Sequence, residues 1–180
     1  MVDTVTASGM GYVLIATVWG VVLSYLDCRT RRLPNWLTVG GAAAALTWRL
    51  GFGGTTALLD GFSAAAAAGV FLLIPFLMRG AGGGDVKMLF AAGAVVGWRL
   101  VLPMLWITSV VGIVFGVGML TFGKLDASRL KHSLRCTFDW RYDRKAGREQ
   151  LPPKDSERAR VPFSIPITVG MLWVMLVGGS

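Results

Sequence analysis

Segment 9–26, GMGYVLIATVWGVVLSYL, carries no charged residue, and neither do 101–122 and 162–178. A helix needs about 20 mostly apolar residues to cross a hydrocarbon core about 30 Å thick, so runs of this kind commit the chain to helices through a bilayer. Helices are expected over 9–26, 37–52, 57–78, 86–98, 101–122 and 162–178, which makes an all-α polytopic membrane protein with about six spans. Arg99 and Pro103 are the reasons for dividing the fourth span from the fifth. Composition agrees: 54% of the 180 residues are hydrophobic and 16% are charged, too apolar for a soluble domain of this length. The leading MVDTVTASGM holds an acid and no Lys or Arg, unlike a cleaved secretory signal, so 9–26 is expected to be retained as the first span.

Basic residues collect on the cytoplasmic side of short loops. Arg29, Arg31 and Arg32 fall in loop 27–36, Arg79 and Lys87 in loop 79–87, and eleven more in 123–160. Only Arg49 and Arg99 of the 18 basic residues lie elsewhere. With six spans these three loops share one face, and both termini lie on the outer side. The net charge of +8 is then a positive-inside bias with some attraction to anionic lipid, and nucleic-acid binding is not expected. The whole chain, 1–180, reads as one membrane-embedded domain. Its basic loop 123–160 reads as a solvated cytoplasmic connector between the last two helices.

Small residues crowd the spans, as in GFSAAAAAG at 61–69, Gly93 with Gly97, and Gly112 with Gly116. Such spacing lets helix backbones approach closely in lipid, which is packing rather than chemistry. Cys28 and Cys136 are too few for a zinc ribbon or a disulfide framework, and His132 reads as a solvated residue. No metal or cofactor is expected.

Chemistry is concentrated in the acids. Asp27 stands at the cytoplasmic end of the first span and Asp85 opens the fourth, so the two share a membrane face, whereas Asp3 and Asp60 fall outside as solvated loop residues. Residues 86–98 make about 20 Å of helix against a core of about 30 Å. With Trp98 and Arg99 at the outer interface, Asp85 lies about 10 Å below the inner surface. An acid at such depth is costly and is kept where it faces a protein interior or a wet cavity. The glycines at 82–84 are poor helix formers, and they predict an irregular loop entering the membrane before Asp85. No Gly-Lys-Ser/Thr ending follows them, so a phosphate cradle is not expected. Two carboxylates in a partly dry pocket share one proton, so one can act as general base on a water while the other acts as general acid toward a scissile carbonyl. A small transporter using both acids as a proton relay is the alternative.

LDCRTRRLPN together with GGGDVK resembles the signature pair of the type IV prepilin peptidases, membrane aspartic proteases of the Gly-x-Gly-Asp kind. The resemblance implies catalytic roles for Asp27 and Asp85, with Arg31, Leu33, Pro34 and Asn35 in the first motif and Gly82, Gly84 and Lys87 in the second. It implies an endopeptidase that removes the basic leader of prepilin-like subunits after a glycine, at the cytoplasmic face of a bacterial inner membrane. Longer bifunctional members add an amino-terminal region with paired Cys-x-x-Cys elements, associated with methylation. With no such element here, no methyltransferase domain is expected, and the chain is similar to the small enzymes of tight-adherence (Flp) pilus systems. Archaeal preflagellin peptidases share the two-aspartate plan. Near the last helix the family often has Pro, an aromatic and Gly, where this chain has Pro162, Phe163 and Ser164.

The motif neighbours carry expectations of their own. Pro34 breaks the chain before the second span, and Asn35 is expected to cap that helix. Lys87 is expected to extend toward the lipid phosphates.

Overall fold

The computed structural model describes residues 2–30, 33–77, 82–121 and 163–178. Arg31 and loop 123–160, with His132 and Cys136, lie outside the described residues. Five helices stand among them: α1 (Val2–Thr30), α2 (Asn35–Leu77), α3 (Gly83–Val96), α4 (Trp98–Thr121) and α5 (Ser164–Val177). The fold is all-α. Three stretches, Met10–Thr30, Asn35–Leu73 and Trp98–Met119, are long and apolar enough to cross a membrane, and α5 is a shorter apolar helix. Large apolar side chains such as Leu14, Ile15, Leu102, Trp106, Ile113 and Val114 point outward, as contact with lipid tails allows.

The spans expected at 37–52 and 57–78 are the two arms of α2. Between them Gly54 takes φ 69° and ψ −163°, backbone angles a side chain would strain. Along a continuous helix residues 49 and 61 would stand about 18 Å apart, beyond the reach of an arginine. A methyl group at Gly61 would nevertheless run into Arg49, and Arg49 Nη1 lies 3.0 Å from Asp60 Oδ2. The chain therefore doubles back at Gly54.

The break between α3 and α4 falls at Gly97 rather than at Arg99 and Pro103. Gly97 has φ 78°. Its N–H donates to Gly93 O at 2.9 Å, closing α3, and its carbonyl accepts from Leu100 and Val101 at 3.2 and 3.0 Å, opening α4. A Cβ there would strike Arg49 and Asp60, so both conformation and space require glycine. Pro103 sits inside α4, where it gives up one backbone hydrogen bond without ending the helix.

Helix packing follows the small residues. A Cβ at Gly93 would lie 2.7 Å from Ala64 O and 2.9 Å from Ala65 Cα, so α3 rests directly on the backbone of the second arm of α2. Ala64, Ala65 and Ala68 are fully buried at that contact. Gly97 does not share in this packing, because its role is the turn. On the other side, α5 lies between α1 and α4. A Cβ at Gly20 would meet Thr168, and one at Gly170 would meet Thr108 and Met104 O.

One end of the bundle is closed by polar bonds. Arg49 Nε donates to Ala94 O at 2.8 Å and its Nη2 to Val95 O at 3.0 Å. These are last-turn carbonyls of α3, which lack partners within their own helix. Tyr12 adds a third donor, its hydroxyl reaching Val95 O at 2.9 Å. Asp60, paired with Arg49, also accepts the Trp98 N–H at 3.2 Å. A cation thus meets the negative end of α3 and an anion the positive end of α4. Asp60 is accordingly a helical, partnered acid and not the solvated loop residue expected from the sequence. A shallow hollow of about 280 Å³ lies at this end, lined by Tyr12, Trp48, Arg49, Phe52, Gly53 and Ala57.

Candidate active site

Tyr12, early in α1, touches Val95, late in α3, and Leu33, just after α1, lies against Gly84, early in α3, so the far end of the bundle gathers the end of α1 and the start of α3. Asp27 and Asp85 stand there, and the hollow beside Tyr12 belongs to the other end. α1 continues through Asp27 to Thr30, past the expected boundary at 26, so the carboxylate projects from a complete helix. Asp27 is 7% exposed. Its Oδ2 accepts a hydrogen bond of 2.6 Å from the hydroxyl of Ser164, the first residue of α5.

Asp85 is partly buried in the first turn of α3. Its Oδ2 accepts the backbone N–H of Gly82 at 3.1 Å. Gly82 is extended and caps the helix, while Gly83 and Gly84 already belong to its first turn. The expected irregular loop through 82–84 is therefore largely helix. The reason is local: the Asp85 carboxylate holds the entry to the helix and offsets the weak helix propensity of glycine.

The two motifs lie against each other. A Cβ at Gly84 would sit 3.2 Å from Leu33 Cβ, so glycine there permits the close approach of the segment before α2. Lys87 Nζ donates to Asn35 Oδ1 at 2.8 Å, which joins the second motif to the first residue of α2. Lys87 is therefore engaged with protein rather than extended toward phosphate. Asn35 in turn does not supply the expected cap. Pro34 does so through its backbone, its carbonyl accepting from Leu37 and Thr38 at 3.1 and 3.2 Å. The break at Pro34 stands as expected. Gly82, Gly84, Asp85, Lys87, Pro34, Asn35 and Asp27 thus share one end of the bundle.

Ser164 is the polar neighbour of Asp27 that sequence reasoning passed over. Its one signal was a hydroxyl where the resembled family often has glycine, and 137 residues separate it from Asp27. Among the described residues no group of three or more His, Cys, Asp or Glu stands close enough to hold a metal ion. The arrangement offers instead two carboxylates on separate helices, each held by a donor from its own surroundings.

Fold and site together define a polytopic membrane protein with acids at the ends of two helices. The chain belongs to the type IV leader peptidase family, whose model matches residues 14–117. That match takes in both acids and both motifs and stops short of α5. Two curated relatives from Aeromonas salmonicida, one of them from strain A449, bear the name prepilin leader peptidase/N-methyltransferase. Each is 32% identical over 107 residues, covering 56% of this chain and 36% of the relative. The chain thus matches about a third of the length of these relatives. No solved structure matches it.

Proposed function

We propose that the protein is a leader peptidase that cuts the basic amino-terminal leader from prepilin-like subunits after a glycine, with Asp27 and Asp85 as its catalytic pair. The observation that carries the proposal is the contact between the two motifs, Leu33 on Gly84 and Asn35 on Lys87, which draws both acid-bearing segments to one end of the bundle. The family match over 14–117 supports the reaction class. In the reaction one carboxylate takes a proton from a water as its oxygen attacks the scissile carbonyl carbon, and the other carboxyl gives a proton to the oxyanion that forms. When the tetrahedral intermediate collapses, the C–N bond breaks, the departing amine takes the proton that the first carboxyl gained from water, and a hydroxyl of the intermediate returns its proton to the second carboxylate.

The topology that accompanies this reading counts the arms of α2 as separate crossings. Six spans result, with both termini outside and the acids facing the cytoplasm of a bacterial inner membrane, and the positive-inside pattern of the loops favours that orientation. The test is cleavage of a prepilin of the same genome by the purified protein in detergent. Asp27→Asn and Asp85→Asn should each insert normally and leave the leader uncut, and wild-type cleavage by Asp85→Asn would count decisively against the pair.

A further inference from the structure

α1 and α5 are joined by a ladder of polar contacts running up to Asp27. Thr168 Oγ1 lies 2.9 Å from Ser24 Oγ and 3.1 Å from Gly20 O. One turn nearer the site, the Ser164 hydroxyl is 2.6 Å from Asp27 Oδ2. Gly20, Ser24 and Asp27 recur at the spacing of one helix face, as do Ser164 and Thr168. Ser164 is fully buried and Thr168 nearly so, while Ser24 is half-buried. The two rungs differ in what they hold: the Thr168 rung ties backbone and hydroxyl groups, whereas the Ser164 rung ends on an acid.

We infer that Ser164 is a positioning residue for peptide-bond hydrolysis, an inference that rests on Asp27 acting as one of the catalytic pair. The Ser164 hydroxyl occupies Asp27 Oδ2, so Oδ1 is the oxygen left to face water and substrate. Ser164 also fixes the carboxylate plane, since one oxygen is tied to α5 while the Cβ is fixed in α1. It stands at the amino-terminal end of α5, whose exposed amides favour negative charge. α5 lies outside the region matched by the family model, so this contribution comes from the part of the chain that the match leaves unassigned.

The experiment compares Ser164→Ala with Thr168→Val in prepilin cleavage, measuring kcat, KM and thermal midpoint for each, with Asp27→Asn alongside. Ser164→Ala should lower kcat about ten- to a hundredfold, the scale of a misoriented reacting group, while KM stays within twofold of wild type. Thr168→Val, which removes a rung that does not touch Asp27, should lower the thermal midpoint and leave kcat unchanged. Wild-type kcat in Ser164→Ala, with Asp27→Asn inactive, would overturn this inference alone. Equal losses of kcat in Ser164→Ala and Thr168→Val, tracking their thermal midpoints, would reduce Ser164 to a packing residue and overturn it as well. Cleavage by Asp27→Asn would overturn both the two-aspartate reading and the role of Ser164.

Discussion

Replacing Arg49 with methionine should destabilise the protein by about 3 kcal/mol, and the figure follows from what the guanidinium touches. Two of its donors satisfy Ala94 O and Val95 O at 2.8 and 3.0 Å. Hydrogen bonds from a charged group contribute about 1.5–3 kcal/mol each, and the lower end applies because the side chain is 18% exposed. The pair with Asp60 adds little: Asp60 is 43% exposed, and open pairs are worth about 0–1 kcal/mol. Asp60→Asn should accordingly cost no more than about 1 kcal/mol, since the amide oxygen can still accept from Trp98. Arg49→Lys should recover about a third of the loss, because a single ammonium cannot span three acceptors in the fork geometry of arginine. Equilibrium unfolding in mixed micelles, followed by fluorescence of the seven tryptophans, measures all three variants. An Arg49→Met protein within about 0.5 kcal/mol of wild type, or an equal loss in Asp60→Asn, would refute the reasoning that carbonyl capping outweighs the ion pair.

Two further outcomes are expected. Gly93→Val should lower stability by at least about 1–3 kcal/mol, the usual cost of overpacking, because the atoms in its way are backbone of α2. Gly116→Ala, with nothing within 4 Å of the new carbon, should be neutral or stabilising, and thermal unfolding in detergent separates the two. Lys87→Met and Asn35→Ala should each slow leader cleavage several-fold with stability changes below about 1 kcal/mol. The double variant should be no slower than either single one, and additive losses in kcat/KM would show that the two side chains act independently.

Hydropathy made the helices legible, since uncharged runs such as 9–26 and 101–122 have little alternative in lipid. The gap between 52 and 57 likewise marked the reversal at Gly54. The α3–α4 junction was misplaced because Arg99 and Pro103 are the usual breakers, whereas the decisive residue is Gly97, whose need for glycine arises from Arg49 and Asp60, far away in sequence. The role of Asp60 was hidden for the same reason: an acid among apolar residues reads as a loop until its partner is known. The motifs around Asp27 and Asp85 were visible as residue types, but their contact through Leu33, Gly84, Asn35 and Lys87 is tertiary. The helical form of 83–84 was obscured because propensity says nothing of the carboxylate that holds Gly82. Ser164 was hidden by sheer sequence distance.

At 14 residues, α3 is about 21 Å long, which on the proposed six-span topology is some 9 Å less than the slab it would cross. One of its ends is tied to Arg49 and the other carries Asp85, so it has no slack with which to follow a thicker membrane. On the proposed reading, acyl-chain length becomes a control on access: in longer lipids the scissile bond would be drawn farther from water before it meets the acids, and in shorter ones the site would rise toward the aqueous boundary.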